Sequence, residues 1–439
     1  MTGERTLLAD PRLHAILSLA AMGVMGGTLV SPTLPGMATS LGVSGARIGL
    51  VMTAFFAPAA VAIPIVGALA DARGRRPIIL ASLFVYGAAG VAVGLAGSFS
   101  TVLVLRAIQG CAFPGLLPLS TAVIGDVYEG VDATRAQGFR TSMNGLGGIV
   151  APAVAGVAAG VSWRVPYWLF ALSFLALALC YVALPEATAA GGTGERGDRV
   201  DGDGSSPDGD ESPTAGDGDP TARGDGSSGV RSRIGGAARE AAGALTAPVL
   251  KLIGATFVVF FVRFGLVTFV PLYVVSSLGA SDAVGGFAVA LTGLGRFVVA
   301  PTAGRLVERS ARRTVLFGGL CVFALGTGLL LFAPGPWTFL ASIGVLSVGE
   351  GAFNPVANDF VTSATPAAVR GRVVGLLEVG KTVAVAASPV AFGAVLAVGS
   401  YRAMFLLGGL LVAGMAALVG SGVGEGGAAA ALNDELTAE

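Results

Sequence analysis

The sequence predicts an all-α membrane protein: twelve transmembrane helices arranged as two pseudo-symmetric six-helix bundles. Three observations predict it. The chain of 439 residues is 54% apolar and 12% charged, where a soluble globular protein carries roughly 25% charged residues. Long apolar runs recur twelve times, and at about 20 residues per bilayer crossing they use roughly 240 residues. Finally, the two halves of the chain repeat each other at a shift of 237 residues.

The runs predict helices over 13–38, 47–70, 77–97, 101–125, 138–161, 164–185, 250–276, 283–305, 314–333, 336–362, 371–398 and 401–422. The first is too long for a signal peptide and lacks a small-residue cleavage site, so it is expected to be retained. These spans divide the chain into an N-terminal bundle over 1–185, a linker over 186–249, a C-terminal bundle over 250–422 and a tail over 423–439. The segment 186–247 holds twelve acids, six arginines and hardly any large apolar side chains. Such a composition cannot offset its ordering entropy by burial, which predicts a disordered acidic connector. Within it, Arg231–Leu245 is a candidate surface helix.

With the N-terminus inside, thirteen loop and tail arginines fall on the inner side and three, Arg47, Arg164 and Arg402, on the outer side. Cytoplasmic loops collect Lys and Arg, so both termini and the linker are expected in the cytoplasm. Under the 237-residue shift Pro64 falls on Pro301, Asp71 on Glu308, Arg75 and Arg76 on Arg312 and Arg313, and Pro152 on Pro389. Prolines and arginines are scarce enough here for these matches to carry weight. Six helices per half place both halves the same way up, related by an axis along the membrane normal.

Composition also excludes several activities. The formal charge is zero, so no basic excess points to nucleic acid. One histidine (His14) and three cysteines (Cys111, Cys180, Cys321) in apolar runs make neither a metal centre nor a disulfide framework. Gly375-Leu-Leu-Glu-Val-Gly380-Lys381-Thr382 fits a phosphate-loop pattern by letter. Its interior residues are helix and core formers with no preceding strand, so no nucleotide site, cofactor or enzymatic chemistry is expected.

The sharpest motif is Gly67-Ala-Leu-Ala-Asp71-Ala-Arg73-Gly74-Arg75-Arg76 after the second helix. Its weaker copy after the eighth is Gly304-Arg-Leu-Val-Glu308-Arg309-Ser-Ala-Arg312-Arg313, with Ala311 in place of glycine. The pair resembles the signature loops of the major facilitator superfamily, in its drug:proton antiporter-like group. That resemblance implies a cytoplasmic gate, or conformational lock, at Gly67, Asp71, Arg75, Arg76, Gly304, Glu308, Arg312 and Arg313; a plain topology determinant is the alternative. Arg106-Ala-Ile-Gln109-Gly110 is similar to the family's fourth-helix motif and implies substrate or proton contact for Arg106 and Gln109. An inter-helix hydrogen-bond donor is the alternative for Arg106. The fifth helix carries Gly138, Gly147, Pro152 and Gly156, which resemble the antiporter-associated motif although Ala151 and Ala155 stand where glycines are expected. This strip of small residues beside a proline suits tight contact with the other half.

The C-terminal half carries most of the deep polar residues. Glu350, Asn354 and Asn358 stand four apart on the tenth helix, one polar face. Glu378 and Lys381 lie on the eleventh, Arg263 on the seventh and Arg296 on the eighth, while Asn144 matches Lys381 under the shift. Charges at bilayer depth cost about 2.5–3.5 kcal/mol each on insertion scales, so these residues must pair or line a watery substrate and proton cavity. Asp126 and Asp359 are expected in cytoplasmic networks. Four deep cations against two deep acids favour an anionic or neutral amphipathic solute over a lipophilic cation. Together these readings predict a monomeric secondary transporter in the cell membrane, surrounded by lipid. It would work by alternating access as an antiporter, exporting a small-molecule substrate against protons carried by Glu350 or Glu378. An importing symporter for a sugar or organic acid, or a receptor on the same fold, remain alternatives.

Overall fold

The computed structural model describes residues 7–184, 245–366 and 369–421. Twelve helices are long and apolar enough to cross a membrane: α1 (Pro11–Leu41), α2 (Gly45–Arg73), α3 (Arg75–Leu95), α4 (Phe99–Val127), α5 (Gly130–Ala159), α6 (Val165–Ala183), α7 (Ala247–Ser276), α8 (Asp282–Thr302), α9 (Arg312–Phe332), α10 (Pro336–Ser363), α11 (Arg370–Val398) and α12 (Tyr401–Gly420). A short helix, Ala303–Arg309, continues α8. Most of the linker, its candidate surface helix and the tail lie outside the described residues.

The ends of these helices follow their sequence. The Asp10 carboxylate accepts from the Arg12 backbone N–H at 2.8 Å and opens α1, with Pro11 in the first turn. The Ser98 hydroxyl does the same for α4 and Ser400 for α12. Two predicted starts shift. Helix α5 begins at Gly130 rather than residue 138, because the polar run 130–137 extends the helix beyond its apolar stretch, where an Asp132–Arg135 pair at 3.3 Å supports the first turns. Helix α7 begins at Ala247, inside the segment expected to be linker, and has Pro248 in its first turn.

The repeat is visible in the packing. In the first half α2 and α3 pack on α4, α1 on α5, and α3 on α6; in the second, α8 and α9 pack on α10, α7 on α11, and α9 on α12. These pairs match one for one under the shift. The halves meet where α5 crosses α8 and, by the same symmetry, where α11 crosses α2.

At the first crossing backbone lies on backbone: a methyl on Gly156 would stand 2.7 Å from the Gly286 Cα and 2.8 Å from the Asp282 carbonyl oxygen. At the second, a methyl on Gly49 would stand 3.1 Å from the Pro389 carbonyl, and Gly393 lies against the Ala46 carbonyl. Gly49 matches Gly286, and Pro389 matches Pro152, whose carbonyl abuts Gly286. Nearby, the Thr53 hydroxyl donates to the Ala386 carbonyl at 3.0 Å, Ser31 donates to Val267 O, and Phe56 meets Phe264 edge-on at 5.4 Å.

All these contacts lie toward the end of the molecule opposite its arginine-rich loops. Toward the basic end the halves part. Gly145 still touches Phe297, but a methyl at Gly138, two turns further along α5, would meet nothing within 4 Å. Two ion pairs at the basic end each lie within one half: Arg75–Asp126 at 2.6 Å and Arg312–Asp359 at 3.0 Å. Gly138 is thus free of the packing that holds Gly145 and Gly156 against α8.

One turn breaks the symmetry. Gly74, between α2 and α3, adopts φ 87°, in the region that favours glycine. Its counterpart Ala311 sits at φ −55°, after the extended Ser310. Alanine would be strained at φ 87°, so the second copy reaches the start of α9 by a different backbone path.

Candidate functional site

Arg106 lies on α4, fully buried. Its Nη2 donates to the Gly26 carbonyl of α1 at 2.7 Å, its Nη1 to Gln109 Oε1 at 2.6 Å and its Nε to the Val51 carbonyl of α2 at 3.3 Å. The guanidinium stacks over Phe55 at 4.3 Å, a contact worth about 2 kcal/mol when desolvated. Gln109 donates onward to the Tyr86 carbonyl of α3 at 3.2 Å. Gly110 completes the motif because the Phe55 carbonyl occupies the space a side chain would need. Thus Arg106 and Gln109 are fully buried and tie α1, α2, α3 and α4 together by hydrogen bonds.

The C-terminal half holds an ionic cluster. Glu350, on α10, is fully buried. Arg263 Nε of α7 stands 3.0 Å from its Oε2, and Arg296 Nη1 of α8 stands 3.6 Å from its Oε1. The Asn354 amide donates to that same Oε1 at 3.2 Å. The 3.0 Å contact is an ion pair without hydrogen-bond alignment. Two guanidiniums against one carboxylate leave a net positive charge at depth. Breaking such a buried pair by removing one partner costs about 3–5 kcal/mol.

A second group lies nearer the basic end on α11. Lys381 Nζ donates to Glu378 Oε1 at 2.7 Å and to Asn358 Oδ1 of α10 at 2.9 Å, and lies 5.5 Å from the Phe260 ring centre. The Glu378 side chain is 61% exposed, not in the enclosed setting expected for a deep residue. Asn144, on α5, precedes the Gly145 that packs on Phe297, the neighbour of Arg296; its Oδ1 is buried without a hydrogen-bond partner. The predicted polar stripe on α10 thus splits, with Glu350 and Asn354 in one group and Asn358 in the other.

The residues of the two signature loops occupy the basic end. Asp71 is exposed, and a methyl on Gly67 would meet nothing within 4 Å. Arg75 and Arg312 pair with Asp126 and Asp359, the networks expected for those acids, and Arg312 also donates to the Ser363 hydroxyl at 3.3 Å. Arg76 donates to the Tyr181 carbonyl at the end of α6, and Arg313 to the Gly420 carbonyl at the end of α12. Each places a cation at a helix C-terminus, where it is favourable. The side chains of Gly304 and Glu308 lie outside the described residues. The α5 motif divides: Gly156 and Pro152 form the crossing with α8, Gly147 faces Val24 of its own half at 3.6 Å, and Gly138 packs on nothing. Sequence reasoning missed Gly49, Gly286 and Gly293, which complete the crossings. Their signal was the register: Gly49 falls on Gly286 under the shift. The phosphate-loop look-alike lies wholly within α11, where its amides belong to the helix.

A family model, that of the Major Facilitator Superfamily, matches residues 16–245 and 252–424. The chain is 28% identical over 168 residues to the multidrug transporter protein MdtP of Bacillus subtilis, covering 38% of this chain and 30% of that protein. It is 30% identical over 160 residues to the bacillibactin exporter of the same organism, covering 35% and 40%. It is also 30% identical over 161 residues to the quinolone resistance protein NorA of Staphylococcus aureus, covering 36% and 42%. The matches thus span less than half the length of these relatives. Among solved structures, a bacterial homolog of the human lysosomal transporter Spinster, inward-facing and occupied, superposes with TM-score 0.70 at 16% identity, over 93% of this chain and 95% of that one. A D-xylose-proton symporter superposes with TM-score 0.65 at 16% identity, over 92% and 96%. At such identities the likeness carries the fold alone. With twelve spanning helices in two matching bundles and a family model covering nearly all of them, the chain belongs to the Major Facilitator Superfamily.

Proposed function

We propose that the protein is a proton-coupled exporter, an antiporter that works by alternating access and is held here open to the cytoplasm. The observation that carries the reading is the packing of the halves, which meet backbone to backbone at the two crossings while Gly138, nearer the basic end, meets nothing; a cleft opening on the basic face toward the Arg263–Arg296–Glu350 cluster is the transport path this implies. The thirteen-to-three arginine bias supports a cytoplasmic basic face and a cell-membrane location. Relatives named as multidrug, quinolone-resistance and bacillibactin export proteins support the outward direction.

Rocking of the two bundles about the crossings would close the basic end and open the other. In the closed form Asp71 and the arginine pairs of the signature loops meet across the halves as the lock. Glu350 is the coupling carboxylate. A proton on it removes the charge that holds Arg263 and Arg296, and exchange of that proton against solute ties the two fluxes together. Glu378, exposed beside Lys381, is the entry point for that proton. The protein acts as a monomer, since each chain encloses its own cleft.

The test is flux in vesicles containing purified protein under an imposed pH gradient. Glu350→Gln is expected to abolish proton-driven flux while the protein remains folded and monodisperse. Unchanged pH-driven transport by that variant refutes the role of Glu350, and accumulation with the proton gradient rather than against it refutes export.

A further inference from the structure

We infer that Arg296 is the docking residue for an anionic group on the transported solute, with Glu350 as the internal carboxylate that sits opposite it while the solute is absent. The substrate class is a monoanionic amphiphile. The inference rests on reading the cleft as the transport path.

The two arginines of the cluster are not equivalent. Arg263 is 7% exposed and close to Glu350 at 3.0 Å, whereas Arg296 is 32% exposed and stands off at 3.6 Å, beyond hydrogen-bond reach. The oxygen Arg296 faces already accepts from Asn354. Arg296 Nε is buried without a partner, and among the described residues no hydrogen bond reaches this guanidinium. A planar fork of five donors, paired with nothing at bonding distance, matches a carboxylate, sulfonate or phosphate edge.

Its place in the fold fits the same role. Arg296 lies next to Phe297, which packs on Gly145 of α5. It is the most exposed of the three, so on the proposed transport path a solute from the basic face meets it before Arg263 or Glu350.

Charge sets the valence. Arg263, Arg296 and Glu350 sum to one positive charge, and Lys381 with Glu378 sums to none, so a single negative group completes the balance. The opposing wall is apolar: residues 141–159 of α5 and 50–70 of α2 carry no charged side chain. Phe297 is 47% exposed beside the arginine. Asn144 and Asn354 each keep an unpartnered buried Oδ1 for a polar substituent. A body that is mostly apolar with one anionic head is the chemistry that satisfies all three.

The test is calorimetric binding to purified full-length protein in a neutral detergent. The three probes share one ring and differ in charge: naphthalene-2-sulfonate, 2-naphthylmethanol and 2-naphthylmethylammonium. The sulfonate is expected to bind at least about tenfold tighter than either analogue. Arg296→Gln should weaken it roughly ten- to hundredfold, the worth of a hydrogen bond to a charged group, and Arg296→Lys should recover part of the loss. Glu350→Gln should tighten sulfonate binding, because the internal competitor is gone. Stronger binding of the ammonium probe, a sulfonate affinity unmoved in Arg296→Gln, or no sulfonate binding at all overturns the proposal. Vesicle flux separates it from the transport reading. Arg296-dependent binding without proton-driven flux leaves the docking site standing and removes the exporter. Proton-driven flux with sulfonate binding indifferent to Arg296 does the reverse.

Discussion

A single methyl group at the α5–α8 crossing should shift the whole conformational balance. In Gly156→Ala the new Cβ would lie 2.7 Å from the Gly286 Cα, 2.8 Å from the Asp282 carbonyl and 3.0 Å from the Gly286 nitrogen. Carbon contacts relax only near 3.5–4.0 Å, so the helices must separate by about 0.7 Å or more. All three neighbours are backbone, and no side chain can swing aside. Overpacking of this kind costs about 1–3 kcal/mol, and the cost falls only on the form in which the crossing is closed. An equilibrium between cytoplasm-open and outward-open forms should therefore move toward the outward-open one by roughly 5- to 150-fold. Cysteine labelling from either side of oriented vesicles reads the shift: a cysteine at Gly138, where a side chain meets nothing within 4 Å, should lose reactivity toward a reagent applied from the cytoplasmic side. Gly393→Ala, at the symmetric crossing, should act alike. Unchanged labelling, or increased cytoplasmic labelling, would refute the claim that this crossing is what closes the far side.

Other expectations concern stability. Arg263→Gln leaves Glu350 buried with only the distant Arg296, so unfolding in detergent should become easier by about 3–5 kcal/mol. The double variant Arg263→Gln with Glu350→Gln should recover part of that, measured by thermal unfolding. Arg106→Ala removes three buried hydrogen bonds and the stacking on Phe55 and leaves the Gln109 Oε1 without its donor, at about 1–3 kcal/mol for an unsatisfied buried group, and its melting temperature should fall much further than that of Arg106→Lys. Arg312→Ala, by contrast, removes a pair whose partners are 45% and 60% exposed. Its unfolding free energy should change by less than about 1 kcal/mol. Deleting residues 190–230 should leave vesicle flux largely intact if the linker is a tether, and total loss of flux would give it an active part.

The spans were legible because lipid demands a long apolar run wherever the backbone crosses it. The start of α5 was not, because residues 130–137 are polar and helical at once, and hydropathy sees only the first property. Spacing on α10 marked Glu350 and Asn354 as one polar face, yet their partners Arg263 and Arg296 come from α7 and α8. No sequence interval encodes that meeting. Arg106 was legible as a buried cation, but carbonyl partners leave no letter in the sequence, so the choice between cavity residue and inter-helix donor needed the structure. Gly49 and Gly286 match under the shift but were missed, because in so glycine-rich a chain a matching pair of glycines carries little weight until the helices are in place. Ala311 was recognised as a departure from the signature loop, and the altered backbone of that turn is its physical outcome.

The caging of Arg106 divides labour between the bundles. The guanidinium is held by carbonyls, an amide oxygen and a phenyl ring, none of which gives up or takes a proton as acidity changes. The N-terminal bundle can then serve as an inert anvil, while the groups proposed to carry the proton and dock the cargo ride on its twin. A change of cargo during evolution would be written mainly into α7, α8, α10 and α11, leaving the anvil untouched.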